Sequence, residues 1–449
     1  MSKKFDVVIL GTGNAGFGVA GVCHDAGKSV AVVEGRTFGG TCPVRGCVPK
    51  KVLVAAAQVL HQIDLAKTHE ITVGPPSLDW GKLIAREQTF VDGVPEMFRS
   101  SLENREIEQF EGRARFTGPN SVDVAGQTLE ADKIVIATGA VPRDLGLDGA
   151  EHLIDSDDIL EMTKLPASLV FIGGGVIALE LGHVMARAGC KITVLEMTDR
   201  LLPRMDDDAV AQIHQESERI GIDILTGVGV SGIAQAGNRL EVTFTHDGAS
   251  KTVTAERVAN GAGRVADVAD LDLGSAGIDH DGPNIKLDQY LASTSNPNVY
   301  VAGDAIGGGL QLSPVATYEG RLVGRNIVDG NAHVPDYSHV PANVYTVPAL
   351  AAVGLTEAQA QDQGLSFEAK VNDMTDWRSA KTYAETAAWS KVLVEEGSGR
   401  LIGAHIVGHG SEEIIHLFAM AMKHGLPASE LSDTVYAYPT FASDIKFMV

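Results

Sequence analysis

The motif Gly11-Thr12-Gly13-Asn14-Ala15-Gly16 follows a short apolar run at residues 5–10 and precedes an apolar stretch of helical periodicity at residues 15–26. After a strand, the first glycine permits a tight turn, the second lets the backbone approach a pyrophosphate, and the third lets the helix pack on the strand. Anions are favoured at the helix start that follows. Glu34 ends the next predicted strand, where it is placed to bind a ribose hydroxyl. We therefore predict a dinucleotide-binding βαβ unit that uses Gly11, Gly13, Gly16 and Glu34.

A second motif of the same kind is Gly173-Gly174-Gly175-Val176-Ile177-Ala178, between a predicted strand at residues 168–172 and a helix that runs to about residue 188. Glu196 ends the following strand, and a carboxylate there accepts the ribose 2′-hydroxyl of NAD and repels the 2′-phosphate of NADP. Arg200 and Arg204 follow closely in the sequence and could bind the 2′-phosphate of NADP instead. We predict NAD, with Gly173, Gly175 and Glu196 as its contacts. Two such units in one chain predict a redox relay between two dinucleotides.

The sequence as a whole predicts an α/β protein, with two Rossmann-like dinucleotide-binding domains and a C-terminal α+β domain. Its 449 residues are too many for one core. Further strands are predicted in an antiparallel stretch at 117–131, in an apolar run at 133–138, in a hairpin at 239–255 and in a short run at 298–303. From about residue 340 the pattern of predicted elements changes. Strands are predicted at 391–395 and 401–407, and a helix follows at 412–424.

Composition and charge exclude several classes of protein. The net charge is −22, from 58 acidic and 36 basic residues, which argues against nucleic acid or an anionic membrane as a partner. No apolar run approaches the length that spans a bilayer. Four cysteines do not make a secreted disulfide framework, so we predict a cytoplasmic protein.

The most informative stretch is Gly39-Gly-Thr-Cys42-Pro-Val-Arg-Gly46-Cys47-Val-Pro-Lys50-Lys51. Cys47 begins an apolar, alanine-rich helix. A sulfur at a helix N-terminus beside two lysines should have a lowered pKa, so that a thiolate is available near neutral pH. We predict a reactive cysteine pair, Cys42 and Cys47; an inert structural pair is the alternative.

A metal site is not predicted, because the sequence has no second pair of ligands at a suitable spacing. The other two cysteines, Cys23 and Cys190, lie within apolar elements, and we expect buried structural thiols there.

The cysteine segment strongly resembles the redox-active disulfide of the pyridine nucleotide-disulfide oxidoreductases, the family of glutathione reductase, dihydrolipoamide dehydrogenase and mercuric reductase. The resemblance extends over essentially the whole chain. It includes a flavin-domain motif at Ala137-Thr138-Gly139, a turn at Gly261-Ala-Gly263-Arg264, the segment Tyr300-Val-Ala-Gly303-Asp304 and the run Leu312-Ser-Pro314-Val-Ala.

The resemblance implies an FAD enzyme that passes hydride from NAD(P)H to the flavin, then electrons to the Cys42–Cys47 disulfide, and finally to a substrate disulfide. It implies that Cys42 is the interchange thiol, that Cys47 is the thiolate next to the flavin, and that Lys51 and Glu180 form an ion pair beside it. It adds these cofactor contacts: Gly40, Thr41, Thr138, Gly139, Asp304 and Gly263.

The resemblance also implies a homodimer with the active site shared between subunits and four segments: residues 1–148 and 269–335 for FAD, 149–268 for NAD(P), and 336–449 for dimerisation.

The C-terminus departs from the family pattern. The family has a His-Pro motif with a Glu five residues after the His, and this dyad protonates the leaving thiolate in the partner subunit. Tyr438 stands in place of that His, Ser443 falls at the position of the Glu, and Asp444 is one residue further on. A phenol titrates near 10 and is a poor proton shuttle at neutral pH, although its hydroxyl can donate to a thiolate. Tyr438 is therefore either the replacement proton donor or a packing residue.

Three hypotheses follow. The first is an NADH-dependent reductase of a low-molecular-weight or protein disulfide, in which Tyr438 of the other subunit polarises the exchange. The second, prompted by the missing dyad, is reduction of a non-disulfide acceptor such as a quinone or a second nicotinamide. The third is a redox-sensing subunit without significant turnover.

Overall fold

A computed structural model describes residues 2–449. Its strands are β1 (Lys3–Leu10), β2 (Val30–Glu34), β3 (Glu108–Glu111), β4 (Ala114–Gly118), β5 (Ser121–Val124), β6 (Gln127–Ile136), β7 (Ala140–Pro142), β8 (Leu153–Ile154), β9 (Ser168–Ile172), β10 (Lys191–Leu195), β11 (Asp223–Leu225), β12 (Gly229–Ala236), β13 (Arg239–His246), β14 (Ala249–Ala255), β15 (Arg257–Asn260), β16 (Arg264–Ala266), β17 (His280–Asp281), β18 (Asn284–Ile285), β19 (Val299–Val301), β20 (Ala342–Val344), β21 (Ala349–Gly354), β22 (Phe367–Asp373), β23 (Trp389–Glu395) and β24 (Leu401–Gly408). The α-helices are α1 (Asn14–Asp25), α2 (Thr41–Arg45), α3 (Cys47–Leu65), α4 (Trp80–Gln88), α5 (Val94–Glu103), α6 (Ser156–Glu161), α7 (Val176–Arg187), α8 (Asp207–Arg219), α9 (Ser313–Asp329), α10 (Glu357–Asp362), α11 (Arg378–Tyr383), α12 (Ser411–Lys423), α13 (Ala428–Asp433) and α14 (Ile445–Met448).

The chain forms two compact units. The first unit comprises the segments up to Lys50, Ala85–Arg143 and Arg264–Asp336, and the second comprises Lys51–Ile84, Asp144–Gly263 and Tyr337–Val449. The four segment boundaries predicted from the sequence stay a prediction.

The first unit is built on a seven-stranded sheet in the order β3-β2-β1-β6-β5-β4, with β19 also paired to β6. β1 runs parallel to β2 and β6, and its last residue, Leu10, lies opposite Val33 and Ile136. β1, α1 and β2 form the predicted βαβ unit. Helix α1 packs against α9 so closely that a Cβ at Gly320 would lie 2.2 Å from the Ala15 carbonyl oxygen. This packing brings the N-termini of both helices to one side of the sheet.

One predicted strand has different bounds. The apolar run at residues 133–138 is not a separate strand; it is the second half of β6, which ends at Ile136. The chain stays extended because β6 pairs with β1 along its length, from Lys3 opposite Leu129 to Leu10 opposite Ile136. The first half also pairs with β5, antiparallel, which gives this part of the sequence its hairpin pattern.

The second unit contains three sheets. A parallel five-stranded sheet in the order β11-β10-β9-β15-β8 carries the second predicted βαβ unit, β9-α7-β10. β12, β13 and β14 form an antiparallel sheet that contains the predicted hairpin. An antiparallel five-stranded sheet, β20-β21-β24-β23-β22, and helix α12 form the C-terminal α+β part. The predicted α/β class with two dinucleotide folds and an α+β part is confirmed.

The two remaining cysteines are buried, as predicted. Cys23 lies in α1 and Cys190 immediately precedes β10. Burial raises the pKa of each thiol to about 12, so both stay protonated and unreactive at neutral pH. Within residues 2–449, none of the helices combines the length and the apolarity that crossing a membrane requires.

Candidate functional site

The first glycine loop has the close approaches that its motif predicts. Gly11 adopts φ +111°, and a Cβ there would lie 2.2 Å from the carbonyl oxygen of Ala137. A Cβ at Gly16 would lie 2.0 Å from the carbonyl oxygen of Gly11. No side chain fits at either position, so the loop packs closely against the strand ends, and the start of α1, where an anion is favoured, follows directly.

Glu34 joins this loop to the cysteine segment through a short network. Its carboxylate accepts hydrogen bonds from the backbone amide of Thr12 at 3.1 Å and from the Thr12 hydroxyl at 2.5 Å. The Thr12 hydroxyl in turn accepts from the backbone amide of Gly39 at 3.2 Å. The acidic residue at the end of β2 therefore holds two loops at once.

The cysteine segment rests directly on the glycine loop. Gly40 adopts φ +69°, and a Cβ at this position would lie 2.6 Å from the Cα of Gly13. Thr41 then starts the short helix α2, which contains Cys42. A Cβ at Gly46 would lie 3.0 Å from the Thr41 carbonyl oxygen and 3.3 Å from the Cα of Cys42, so the chain is tightly packed where it folds back towards the first cysteine.

The two cysteines interact as a pair of thiols. Cys42 lies in α2 and Cys47 is the first residue of α3, as the sequence predicts. The pKa of the Cys42 thiol is lowered to about 6, chiefly because the Cys47 side chain donates a hydrogen bond to it. The side chains of Ser313 and Asn14 and the backbone amide of Cys47 also donate, and together they outweigh the effect of burial. This lowered pKa is that of Cys42, and the lowered pKa expected for Cys47 at the start of α3 stays a prediction.

Further residues in the first unit fit a flavin dinucleotide. The hydroxyl oxygen of Thr138 is buried and has no hydrogen-bond partner among the described residues. Gly139 follows with φ +78°, in the turn after β6. Burial raises the pKa of the Asp304 carboxyl, and nearby Arg264 partly opposes this. A buried hydroxyl and carboxyl beside a phosphate-binding loop suit a polar, hydroxyl-rich ligand.

The second glycine loop repeats the arrangement of the first. Gly173 adopts φ +101°, and a Cβ there would lie 2.5 Å from the backbone nitrogen of Ala262. Glu196 accepts from the backbone amide of Gly174 at 2.5 Å and from that of Thr198 at 2.7 Å. The remaining predicted contacts are placed around this loop: Gly175 immediately precedes α7, and Gly263 has φ +95°.

Arg200, one of the two arginines that would favour NADP, is held within its own loop. Its guanidinium forms an ion pair with Asp207 at 2.5 Å and donates to the backbone oxygens of Pro203 and Met205. These contacts direct the charge of Arg200 to its own loop.

Lys51 and Glu180 both contact Tyr345 within the second unit. The backbone amide of Tyr345 donates to the Glu180 carboxylate at 2.8 Å, and the Lys51 ammonium lies 4.0 Å from the centre of the Tyr345 ring. Lys51 also forms an ion pair with Glu412 at 3.6 Å. Tyr345 and Glu412 had no sequence signal that linked them to this lysine. The predicted ion pair of Lys51 with Glu180 stays a prediction.

In the C-terminal segment, Ser443 and Asp444 have hydrogen-bond partners other than Tyr438. The Tyr438 side chain is 66% exposed in the single chain. Ser443 is buried, and its hydroxyl forms a capping box with Thr440 at the start of a short 3-10 helix. The Asp444 carboxylate accepts from the Ser379 hydroxyl, and burial raises its pKa. The Ser443 hydroxyl and the Asp444 carboxylate are thus engaged with Thr440 and Ser379.

A charged cluster in the second unit was not predicted from the sequence. The buried carboxylate of Glu385 lies 3.0 Å from His409 and 3.3 Å from His61. Burial raises the pKa of this carboxyl, but the hydrogen bonds from both imidazoles outweigh it and lower the pKa to about 2. The His409 ring stacks on Tyr383 and on Phe441, three residues after Tyr438. The cluster anchors the C-terminal segment.

Two family models match the sequence. The model described as pyridine nucleotide-disulphide oxidoreductase matches residues 5–320, and the dimerisation domain of the same family matches residues 340–449. The chain belongs to the pyridine nucleotide-disulphide oxidoreductase family. It is an FAD-dependent NAD(P)H-disulfide oxidoreductase, as predicted, and its dimerisation domain supports a homodimer.

Relatives with different acceptors match over most of their length. A glutathione reductase from Burkholderia cepacia is 33% identical, over 98% of this chain and 97% of that protein. A mercuric reductase from Lysinibacillus sphaericus is 30% identical, over 99% and 82%. Among solved structures, a Cu(II) complex of the HOCl-induced flavoprotein disulfide reductase RclA from Escherichia coli has a TM-score of 0.89 and 27% identity, and the match covers 100% of this chain and 99% of that one.

Proposed function

We propose that this protein reduces a low-molecular-weight or protein disulfide with electrons from NADH, using Cys42 to attack the substrate and Cys47 to complete the exchange. The observation that carries the proposal is the contact between the two thiols, in which Cys42 accepts from Cys47 and has its pKa lowered to about 6. A thiolate at neutral pH is the species that attacks a disulfide.

The cofactors would be held by the two glycine loops and the residues around them. When bound, FAD supplies the route by which electrons from NAD(P)H reach the cysteine pair. The residues proposed to hold FAD are Gly11, Gly13, Gly16, Glu34, Gly40, Thr41, Thr138, Gly139 and Asp304. Those proposed to hold NADH are Gly173, Gly175, Glu196 and Gly263, with Lys51 and Glu180 beside the flavin. Glu196 and the engaged Arg200 favour NADH over NADPH.

Proton delivery to the leaving thiolate is proposed to involve Tyr438 of the other subunit. The phenol is exposed in the single chain and so is free to meet another surface. Its hydroxyl can donate a hydrogen bond to a thiolate, although it cannot shuttle protons at neutral pH as an imidazole does. A cytoplasmic setting belongs to the same proposal, because dithiols stay reduced there.

The experiment is a comparison of wild-type protein and Cys42→Ser in NADH oxidation coupled to a panel of disulfides, at equal flavin content. The proposal expects one class of disulfide to be turned over by the wild type and turnover to fall to background in Cys42→Ser. Cys23→Ser is the matched control, because its sulfur is buried in α1, and it should keep full turnover. If Cys42→Ser reduced the best disulfide at the wild-type rate, the proposal would be refuted.

A second candidate is reduction of a non-disulfide acceptor, such as a quinone, a second nicotinamide or a metal ion. The positions of Ser443 and Asp444 favour it, because an acceptor that releases no thiolate needs no acid in the C-terminal segment. The RclA neighbour is a Cu(II) complex. In the described part of the chain, no group of three or more His, Cys, Asp or Glu side chains is placed to hold a metal ion. Quinone turnover that survives loss of both cysteines would support this candidate.

A further inference from the structure

The loop after β10 folds back onto the second glycine loop. The backbone amide of Leu202 donates to the carbonyl oxygen of Gly174 at 3.3 Å. The Thr198 hydroxyl lies 2.8 Å from the Glu196 carboxylate and 2.8 Å from the backbone oxygen of Arg200. The backbone at Arg200 is therefore tied to Glu196, the carboxylate that the proposed function assigns to the ribose 2′-hydroxyl.

The Arg200 guanidinium is held on one side by an acid and by two backbone oxygens. Its Nη1 lies 2.5 Å from the Asp207 carboxylate and donates to the backbone oxygen of Met205 at 3.1 Å. Its Nη2 donates to the backbone oxygen of Pro203 at 2.7 Å. Backbone oxygens carry no full charge, so Asp207 is the group that neutralises this arginine.

Asp207 is itself fixed by the residues on either side of it. It is the first residue of α8, and Asp206 caps that helix by accepting from the backbone amides of Asp208 and Ala209. Asp206 and Asp208 also pair with the buried ammonium of Lys391, at 3.1 Å and 2.6 Å. Of three consecutive aspartates, the outer two thus bind one cation and the middle one binds Arg200.

We propose that Asp207 is a positioning residue for nucleotide selectivity, because it keeps the Arg200 guanidinium paired within its loop and away from a ribose 2′-phosphate. The inference rests on the proposed function, since it concerns the same nucleotide site. A 2′-phosphate carries about two negative charges and is bound best by the planar fork of an arginine. With Arg200 neutralised, the Glu196 carboxylate repels that phosphate unopposed, and NAD is selected over NADP.

The test is isothermal titration calorimetry of the oxidised holoenzyme with NAD⁺ and with NADP⁺, from which the ratio of the two Kd values is taken. Wild-type protein should bind NAD⁺ more tightly than NADP⁺. Asp207→Ala releases the guanidinium and should tighten NADP⁺ binding by roughly five- to tenfold, the effect of a charged contact to phosphate at a partly exposed site. The affinity for NAD⁺ should change by no more than about twofold, because NAD⁺ has no 2′-phosphate for Arg200 to bind.

Three variants separate this role from a general effect of charge or of structure. Asp207→Glu keeps the carboxylate and should keep the wild-type ratio. Asp199→Ala removes the same charge from an exposed position next to Arg200 and should also keep it. Arg200→Ala combined with Asp207→Ala should lose the gain in NADP⁺ affinity, because the arginine that is released is then absent.

The inference would be overturned by an unchanged ratio in Asp207→Ala, by an equal gain in Asp199→Ala, or by a gain that survives loss of Arg200. The titration involves no disulfide and no turnover, so its outcome is independent of the result for Cys42→Ser. Glu196→Gln tests the site itself and should weaken NAD⁺ binding. Unchanged NAD⁺ binding in that variant would refute the proposed position of the ribose, and with it the role of Asp207.

Discussion

Replacement of Glu385 by Gln should destabilise the second unit by an amount that the structure allows us to calculate. The carboxylate is buried and lies 3.0 Å from the His409 imidazole and 3.3 Å from that of His61. An amide keeps the shape but loses the charge, and it leaves two imidazoles beside a weaker acceptor. Because the His409 ring stacks on Phe441, the variant should also loosen the C-terminal segment that contains Tyr438.

The magnitude follows from the pKa of the Glu385 carboxyl, which is lowered from 4.5 to about 2. At about 1.4 kcal/mol for each tenfold change in proton affinity, the charged form contributes roughly 3 kcal/mol to folding at pH 7. Because the pKa is lowered in the folded state, this stability is present above pH 4.5 and is lost as the pH falls towards 2. About half of it should remain at pH 3.

The assay is urea unfolding of wild-type and Glu385→Gln protein at pH 7 and pH 3, followed by tryptophan fluorescence. All three tryptophans, Trp80, Trp377 and Trp389, lie in the second unit, so the signal reports on it. Glu218→Gln is the matched control, because Glu218 pairs with His214 at 3.7 Å on an exposed helix face. That change should alter stability by no more than about 0.5 kcal/mol.

Two results would refute this reasoning. The first is a Glu385→Gln variant that unfolds at the same urea concentration as Glu218→Gln at pH 7. The second is a deficit relative to wild type that is the same at pH 3 as at pH 7, because it would show that the charge on Glu385 does not supply the stability.

Three further predictions concern the cofactor loops and the C-terminal segment. Gly40→Ala should lower flavin content and melting temperature more than Gly126→Ala. Both glycines have positive φ, but only at Gly40 would a Cβ lie 2.6 Å from the Cα of Gly13. Equal effects of the two substitutions would argue against the close approach. Glu196→Gln should reduce kcat/KM for NADH about tenfold and raise the NADPH-to-NADH ratio, and an unchanged ratio would remove Glu196 as the selective residue. Tyr438→Phe should slow disulfide turnover about tenfold at unchanged flavin content if its hydroxyl donates to the leaving thiolate, and wild-type turnover would identify it as a packing residue.

The sequence was sufficient to predict those parts of the fold that have a local sequence pattern. Both βαβ units, the hairpin of β13 and β14, and helix α12 lie within a few residues of their predicted positions. Each combines a short-range hydrophobic period with a turn signal. Such patterns can be recognised in the sequence without knowing which elements the segment packs against. Strand β6 differs from its prediction because its first half also pairs with β5, and only the sheet shows that both halves form one strand along β1.

The site was predictable only where its residues lie in motifs. The glycine loops, the acidic strand ends and the cysteine pair are each contained in a short segment. The donors to Cys42 were missed because Asn14 and Ser313 are 299 residues apart and each lies in a segment that pointed to a nucleotide. Likewise, Glu385 and His61 are 324 residues apart and belong to no motif. Contacts of this kind depend on tertiary packing, which sequence spacing does not encode.

The central claim is that electrons from NADH are stored as two new thiols on Cys42 and Cys47. The most direct measurement is a count of free thiols in denatured protein before and after anaerobic reduction by NADH. Oxidised wild-type protein should expose two thiols per chain, from Cys23 and Cys190, and reduced protein should expose all four cysteines. A count that stays at two while NADH is consumed would contradict the claim and leave the cysteine pair outside the path of the electrons.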